Sequence, residues 1–472
     1  MSERRIAGTL LLGLLLGLLS GCMNLAPRYE RPAAPVAAGF PDMQARADAA
    51  ALPAAADTEW QRYFGDERLK RLIAIALQNN RDLRVAVLGI EQARALYQIR
   101  RADEWPGLAA GASVSRAPNS AGRLVNTYAL GVSVPSYELD LFGRVHNLSD
   151  AALAQYAATQ EARKAAQIAL IGAVAVVHIA LVADEEFLAL ARDALKTREE
   201  SLRLIRLKFE HGATSELDLR QAESLLEGAR AAVAQAVRQR ALDENALVLL
   251  LGQPLPADLP AALELDAQQR LPEVPAGLPS ELLARRPDVR GAEQQLIASN
   301  ANIGAARAAF FPRISLTANA GVASSALDGL LTSGKFVVTG SAQLLQPLFD
   351  AGRNQAALDV AQVNREIATA QYEKAIQVAF REVADALAGR ATLGEQLRAQ
   401  RAQAQAEAAR SRLAELRYRH GAASYLDVLD AQRSLFAAQQ AALQLGAAQA
   451  QNLVTLYKVL GGGWKDEDAK SE

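Results

Sequence analysis

The sequence contains very few of the residues from which disulfide scaffolds and metal centres are built. Cys22 is the single cysteine, so no disulfide bond forms within the chain. The four histidines, His146, His178, His211 and His420, lie too far apart in sequence to match the usual spacing of metal ligands. We therefore expect no metal site.

The chain also lacks an excess of charge of either sign. It carries 51 basic and 52 acidic residues, which gives a formal net charge of −1 at pH 7. No long-range electrostatic field is therefore available to attract nucleic acid. We also expect no transmembrane helix after Cys22, because no stretch there approaches the roughly 18 apolar residues that such a helix needs. If the mature protein crosses a membrane, it does so with β-strands.

The N-terminus has the features of an export signal. A basic start is followed by the 14-residue apolar stretch Ile6–Leu19, which is too short to span a membrane. The stretch runs into Leu-Ser-Gly-Cys at Leu19–Cys22, which resembles a bacterial lipobox. It predicts a lipoprotein signal peptide over residues 1–21 and acylation of the Cys22 thiol; the alternative is an ordinary signal peptide with an incidental cysteine. Met23, in place of an aspartate, favours the outer membrane.

Much of the chain occurs twice. The stretches 208–223 and 418–432 share one pattern at an offset of 209 residues. The same register runs without a gap over residues 143–252 of the first copy. We therefore predict a tandem duplication, with repeat 1 over residues 65–252 and repeat 2 over residues 288–460.

Each repeat contains a long helical hairpin, predicted at residues 143–252 and 352–460. Both tracts lack proline and are rich in Ala, Leu, Gln, Glu and Arg, which are strong helix formers. A helix from Gly143 to the turn at Gly212 would be roughly 100 Å long. Gly212 and Gly421 are the predicted turns between the two helices of each hairpin. Helices of this length belong to a coiled-coil assembly or to a tube across the periplasm.

The segments before the hairpins, at residues 107–136 and 313–346, have the period of β-strands. In the second, Ile314, Leu316 and Ala318 alternate with polar neighbours. Each segment therefore predicts two strands of about ten residues, the length of a tilted membrane-spanning strand with one apolar face.

Four strands in one chain cannot close a barrel, and an open sheet edge is not tolerated in lipid. Several chains must therefore share one barrel. Two copies give eight strands, whose interior is filled by side chains, whereas three give twelve strands around a water-filled lumen. A channel would thus be a homotrimer.

The remaining segments connect or anchor these parts. Residues 22–64 contain a stretch rich in Pro and Ala and predict an extended, lipid-anchored N-terminal segment. Residues 253–287 hold seven prolines and link the repeats. Residues 461–472 predict a disordered tail.

The chain resembles the TolC-like outer-membrane factor family, in its NodT/OprM-type lipoprotein branch. The resemblance covers nearly the whole mature chain. It is carried by Leu19–Cys22, Asn24–Tyr29, Tyr137–Arg144, Arg285–Val289, Phe311-Pro312, Gln346–Arg353 and Tyr418–Gln432.

This resemblance implies an α+β membrane protein: a trimeric 12-stranded β-barrel with four strands per chain, continued by a long α-helical coiled-coil periplasmic tunnel. It implies the exit duct of a tripartite efflux system that exports drugs or other small molecules. The partners would be a periplasmic adaptor protein and an inner-membrane pump of the resistance-nodulation-division class. The duct itself would use no cofactor, because energy is supplied at the inner membrane.

The resemblance also implies a gate at the periplasmic tip. Carried over by position, Leu426, Asp427 and Asp430 form the constriction, and Tyr418 takes part in the hydrogen bonding that keeps the tip shut. The chain departs from the family at Ala423, where some members have an arginine in this latch.

The missing arginine leaves two expectations open for the latch. Either it is weaker than in those members, or other groups make it, with Arg417 and Arg419 as the candidates.

Asp430 has no equivalent in repeat 1, where Gln221 stands at the matching position. Asp427 and Asp430 are three residues apart and so share a helix face. In a trimer, three copies of Asp430 would favour cations and raise one another's carboxyl pKa by repulsion. The alternative is a solvated surface aspartate.

An enzyme is the competing interpretation of His420, Ser424 and Asp427. A serine hydrolase needs these groups to converge on a pocket with an oxyanion hole. Ser424 and Asp427 instead fit a helix capping box, as do Ser215 and Asp218 in repeat 1. We therefore expect helix caps and no catalytic residue.

Two other functions remain as alternatives to a drug duct. One is a structural coiled-coil lipoprotein of the periplasm without a pore. The other is an exit duct dedicated to metal ions or to a secreted metabolite.

Overall fold

The computed structural model describes residues 24–37, 39–40, 54–275, 285–332 and 335–464. The predicted signal peptide, the predicted acylation site Cys22 and the last eight residues of the predicted tail lie outside these ranges. The chain divides into two compact units. Unit 1 comprises Met1–Ala33, Leu88–Gln160 and Gly291–Lys374, and unit 2 comprises Ala34–Val87, Glu161–Arg290 and Ala375–Glu472.

Helices dominate the described residues. A 3-10 turn at Ala55–Asp57 precedes them. In chain order the helices are α1 Trp60–Tyr63, α2 Glu67–Asn79, α3 Arg81–Ala102, α4 Arg144–Glu210, α5 Glu216–Leu251, α6 Leu265–Gln268, α7 Pro287–Ala308, α8 Arg353–Arg419 and α9 Tyr425–Val459.

The two long hairpins have matching dimensions. Helices α4 and α8 both contain 67 residues, and α5 and α9 contain 36 and 35. At 1.5 Å per residue, each 67-residue helix is roughly 100 Å long. The equal lengths reflect the duplication of the sequence.

Four strands form one antiparallel sheet in unit 1, in the order β1-β2-β3-β4. They are β1 Ala109–Pro118, β2 Leu124–Leu139, β3 Arg313–Ser324 and β4 Lys335–Leu345. Strands β1 and β4 each have one unpaired edge in the single chain. The expectation of four strands per chain is confirmed.

Strand β2 is longer than its sequence pattern predicts and continues to Leu139. The register of β2 against β3 shifts between Val134 and Tyr137, next to Pro135. Proline has no N–H to donate to the ladder, so a sheet accommodates it at an irregularity of this kind. Pairing then resumes, and Glu138 lies opposite Ser315.

Aspartates cap the starts of α4 and α8, a role that the sequence did not reveal. The carboxylate of Asp140 accepts from the amides of Arg144 and His146, at 2.6 and 2.7 Å. Asp350 accepts in the same way from the amide of Asn354, at 2.9 Å. Gly143 before α4 has φ 71° and Gly352 before α8 has φ 86°, which permits the sharp change of direction.

The N-terminal segment of unit 1 lies along α7. Arg31 donates two hydrogen bonds to the Glu293 carboxylate, at 2.7 and 2.9 Å. Further along the helix, Asn300 donates to the carbonyl oxygen of Pro27, and Arg307 donates to that of Leu25. The three helix residues are seven apart, so they form one stripe along α7.

The expectation that no segment is long and apolar enough to cross a membrane was wrong for α4. This helix contains an 18-residue window with a mean hydropathy of 2.3, and 61% of that window is buried within the chain. Ile171, Val174 and Ile179 are no more than 2% exposed. The apolar composition of this segment therefore serves the core of a helix bundle.

Candidate functional site

The two hairpins end in turns of the same geometry, both in unit 2. Gly212 has φ 67° and Gly421 has φ 72°, a left-handed conformation that glycine adopts without steric cost. In the second turn the amide of Ala422 donates to the carbonyl oxygen of Arg417 at 2.8 Å, and the first turn has the same bond at the same length. These glycines end α4 and α8 as their sequence positions predict.

A complete capping box begins the helix after each turn. The Ser215 hydroxyl accepts from the amide of Asp218 at 3.1 Å, and Asp218 accepts from the amide of Ser215 at 3.2 Å. Ser424 and Asp427 make the same exchange, at 3.3 and 3.0 Å. The caps predicted from the sequence are therefore present, and both serines are engaged in backbone interactions.

A small apolar core lies beneath the tips, where α4, α5 and α9 meet. Burial raises the pKa of the Tyr425 phenol in this core to about 12. The core fixes the position of α9, which carries the predicted constriction. Its buried members are Leu202, Ile205, Leu219, Ala222, Leu226, Tyr425, Val428 and Leu429.

Tyr418 at the end of α8 contacts a lysine of the other repeat. Lys208 donates from Nζ to the Tyr418 hydroxyl at 2.9 Å, and Nζ lies 4.4 Å from the ring centroid. The Tyr418 ring also packs on Tyr425, with centroids 5.4 Å apart. Sequence reasoning missed Lys208, although its position matches Arg417 in repeat 2 and both residues are basic.

The two arginines considered for the latch make local contacts instead. Arg417 donates to the carbonyl oxygen of Ala422 in its own turn, at 3.1 Å. Arg419 forms an ion pair with Glu415 one helical turn away. In the described part of the chain, the cross-repeat hydrogen bond to Tyr418 comes from Lys208.

Asp430 is held between two arginines. It forms ion pairs with Arg410 on α8 and with Arg433 on α9, the second at 3.0 Å. The hydrogen bonds from Arg410 and Arg433 hold the pKa of the Asp430 carboxyl below its usual range. The rise expected from repulsion between three Asp430 carboxylates concerns the trimer and stays a prediction; within one chain the two arginines act in the opposite direction.

Leu426 and Asp427 occupy the first turn of α9, next to the tip. The Leu426 side chain is 55% exposed in the single chain. Asp427 is engaged in the capping box. The chain thus presents an apolar residue, a capping carboxylate and the ion-paired Asp430 on the first two turns of one helix.

Apolar side chains are also exposed on two helices of unit 1. Leu96 and Ile99 of α3 are 54% and 58% exposed. On α8, Val360, Val363 and Ile367 are 50% to 60% exposed at helical spacing. Faces of this kind become buried when protomers associate.

The described residues contain no group of three or more His, Cys, Asp or Glu side chains that could hold a metal ion. His420 directly follows α8, and its amide donates to the carbonyl oxygen of Leu416. His211 similarly places Nδ1 2.9 Å from the carbonyl oxygen of Leu207. Both histidines lie at the ends of helices, and these contacts with the helix backbone account for their presence in both repeats.

Comparison with known proteins supports a transport role. The sequence profile of a family described as outer membrane efflux protein matches residues 72–253 and 278–462. The chain is 48% identical over 461 residues to the solvent efflux pump outer membrane protein SrpC of Pseudomonas putida, across 95% of this chain and 96% of that protein. It is 46% identical over 462 residues to the antibiotic efflux pump outer membrane protein ArpC of Pseudomonas putida, across 96% and 95%.

A solved structure shows the same architecture. The open state of the MtrE outer membrane channel of Neisseria gonorrhoeae matches with a TM-score of 0.85 at 42% sequence identity, across 94% of this chain and 99% of that chain.

Structural neighbours of this kind are trimeric channels, in which three four-stranded sheets form a twelve-stranded barrel. Such channels work with an adaptor and an inner-membrane pump. The family match, the whole-length relatives and the four-stranded sheet per chain agree on the fold, the outer-membrane location and the role as exit duct. The chain belongs to the outer membrane efflux protein family.

Proposed function

We propose that this protein exports small apolar molecules, such as solvents and antibiotics, that an inner-membrane pump of the resistance-nodulation-division class and its adaptor deliver. The supporting observation is its identity of 48% and 46%, over nearly the whole chain, to relatives named for solvent and antibiotic efflux. The protein is a passive duct rather than an enzyme. It needs no cofactor, since the pump supplies the energy.

Leu426, Asp427, Asp430 and Tyr418 form the periplasmic gate in this proposal. Lys208 joins Tyr418 of repeat 2 to repeat 1, and the apolar core beneath the tips holds α9 against α4. The ion pairs of Asp430 with Arg410 and Arg433 hold α8 to α9 within one protomer. The Lys208 contact is exposed, so it would break at low cost when the tip opens, whereas moving α9 relative to repeat 1 would also disturb the apolar core.

A lipid on Cys22 anchors the N-terminus in this proposal. The described chain begins two residues later, and its N-terminal segment is bound along α7 by Glu293, Asn300 and Arg307. Cys22→Ser should abolish incorporation of labelled palmitate while the trimer still assembles. Labelling that survives this substitution would refute the lipobox.

Planar-bilayer conductance separates the duct from a pore-free structural lipoprotein. The purified protein should insert as trimers that conduct ions in discrete steps. A protein that assembles into trimers but never conducts would contradict the proposal.

Accumulation assays test the substrate class. A deletion strain should accumulate a fluorescent apolar dye and lose solvent tolerance, and the wild-type gene should restore both. Unchanged solvent and antibiotic tolerance, together with altered metal tolerance, would instead favour a duct dedicated to metal ions. Copurification of the pump and adaptor with the tagged trimer identifies the partners.

A further inference from the structure

Exposed apolar side chains flank the two edge strands at one end of the sheet. Trp105 and Leu108 precede β1 and are 71% and 75% exposed. Leu348 and Phe349 follow β4 and are 93% and 90% exposed. Because neighbouring strands are antiparallel in the order β1-β2-β3-β4, the start of β1 and the end of β4 lie at the same end of the sheet. The two groups of side chains therefore occupy opposite edges of that end.

The duplication of the sequence gives both edges an equivalent inside the chain. Trp105-Pro106 before β1 corresponds to Phe311-Pro312 before β3, which lies 206 residues later. Gly143-Arg144 after β2 corresponds to Gly352-Arg353 after β4, which lies 209 residues later. The end of β4 is therefore equivalent to the end of β2, and the start of β1 is equivalent to the start of β3.

The end of β2 and the start of β3 form an apolar interface within the chain. Leu139 of β2 lies opposite Ile314 of β3, and both side chains are partly buried. Next to them, Phe142 stacks on Phe311 with ring centroids 4.6 Å apart. This intrachain interface shows how the ends of two neighbouring strands pack.

The residues equivalent to Leu139 and Ile314 are exposed in the single chain. Leu348 stands 209 positions after Leu139, and Leu108 stands 206 positions before Ile314. Among the described strands, β4 and β1 have no neighbour on these edges. Closing three four-stranded sheets into one twelve-stranded barrel brings β4 of one protomer beside β1 of the next.

The two interfaces differ in charge. Within the chain, Glu138 forms ion pairs with Arg144 at 2.7 Å and with Arg313 at 2.6 Å. The same offsets place Pro347 at the position of Glu138 and Gly107 at the position of Arg313. Neither residue can form a side-chain ion pair. The interface between protomers therefore depends on apolar contacts where the intrachain interface adds a charged cluster.

We propose that Trp105 and Leu108 of one protomer pack against Leu348 and Phe349 of the next, where the strands of the barrel join the helices. The partner is a second copy of this chain. The duplication sets the register, in which Leu348 lies opposite Leu108 of the next protomer. Association removes these apolar side chains from water and so favours the closed barrel. The contact is made by side chains, because Pro347 has no N–H with which to extend the strand ladder.

Disulfide cross-linking of the full-length trimer tests the register. Residues opposite each other on antiparallel strands have Cα atoms about 4.5–5.5 Å apart, which suits a disulfide. After oxidation, Leu108→Cys/Leu348→Cys should run as a covalent trimer on a denaturing gel, since each interface joins two different chains. The two single variants should run as monomers, which excludes cross-links through Cys22. Leu139→Cys/Ile314→Cys should form its disulfide within one chain and gives the yield expected for this geometry.

Leu108→Cys/Gln346→Cys is the matched control for the register. Gln346 lies two residues from Leu348, and diagonal neighbours on adjacent strands are about 7–8 Å apart, so this pair should cross-link less. Equal or stronger cross-linking of the control would overturn the register. The proposal would also be wrong if Leu108→Cys/Leu348→Cys stayed monomeric under conditions that oxidise Leu139→Cys/Ile314→Cys.

Thermal dissociation of the trimer in detergent distinguishes a protein partner from lipid. Leu348→Asn should lower the dissociation temperature, because it places an amide in an apolar interface. The control is Leu331→Asn in the connection between β3 and β4, where the leucine is 80% exposed, and it should dissociate at the wild-type temperature. A wild-type temperature for Leu348→Asn as well would mean that lipid covers Leu348, which would contradict the proposal.

Discussion

The Nζ atom of Lys208 at the end of α4 lies 2.9 Å from the phenolic oxygen of Tyr418 at the end of α8. The two residues are 210 positions apart and belong to different repeats. Their contact joins the tips of the two helical hairpins at the place where the family resemblance puts a latch.

Replacing Lys208 with methionine tests this contact. Lys208→Met keeps an unbranched apolar chain but removes the donor and the cation over the ring. The loss should be about 1 kcal/mol per protomer, since both interactions are exposed. We expect a higher open probability in single-channel recordings.

Lys196→Met is the matched control, because Lys196 is an exposed lysine on the same helix. It should leave the open probability at the wild-type level. Equal behaviour of the two variants would remove Lys208 from the gate.

The charge of Asp430 should control ion selectivity. Asp430→Asn leaves Arg410 and Arg433 without their shared carboxylate. We expect a loosened tip and a weaker preference for cations, since the local charge becomes more positive. The reversal potential in a salt gradient measures the change, and a selectivity identical to that of the wild type would contradict this role.

The pH dependence of the Asp430 ion pairs follows from the lowered pKa of its carboxyl group. A group whose pKa is depressed by folding contributes stability above its ordinary pKa, and this is lost as the pH falls through the depressed value. Asp430 should therefore stay ionised from pH 7 to pH 5. Selectivity should be constant over this interval in the wild type, and a marked loss of cation preference by pH 5 would contradict the assignment.

A buried network around Asp66 should be important for stability. Asp66 caps α2 through the amide of Arg68 at 2.8 Å, and its carboxylate contacts His178 at 2.8 Å and also Gln268. Asp66→Asn removes a buried, fully engaged charge and should destabilise the fold by about 3 kcal/mol. Asp258→Asn, which removes an exposed ion pair with Arg71, should cost much less.

Denaturant unfolding of the two variants measures this difference. Equal stabilities would contradict the importance of the buried site.

Burial alone would raise the pKa of Asp66, but the hydrogen bonds from His178 and Gln268 outweigh it and lower the pKa to about 2. The contribution of Asp66 should therefore be intact above about pH 4 and decline only as the pH falls toward 2.

The exposed apolar face of α8 should support association of the protomers. Val363→Asp places a charge within the stripe formed by Val360, Val363 and Ile367, and should shift the protein from trimers toward monomers. Gln362→Asp adds the same charge on a different side of the helix and should leave the trimer intact. Light scattering after size-exclusion chromatography distinguishes the two outcomes, and a stable Val363→Asp trimer would place this stripe outside the interface.

Much of the fold was predictable because its signals are local. The alternation around Ile314 and Leu316 predicted strands, and Gly212 and Gly421 predicted the ends of the long helices. Ser424 and Asp427 predicted a cap, since a capping box spans only four residues. The apolar window of α4 was not predicted, because polar residues interrupt its run of apolar side chains.

The contacts of the candidate gate were less accessible to sequence reasoning. Asp430 was singled out from its helix position, but its arginine partner on α8 lies 20 residues earlier, across the turn. The prediction of a ring of three Asp430 carboxylates did not include Arg410 as a partner. Lys208 escaped notice because its partner lies in the other repeat.

The sequence by itself determined the duplication, the strands, the long helices and the turns between them, because periodicity and turn residues act over a few neighbouring positions. Only the tertiary structure decided which side chains meet across α4, α5, α8 and α9. Successive side chains of a helix point in directions about 100° apart around its axis. The packing of several helices therefore decides which side chains face each other. That selection places Lys208 on Tyr418 and Arg410 on Asp430.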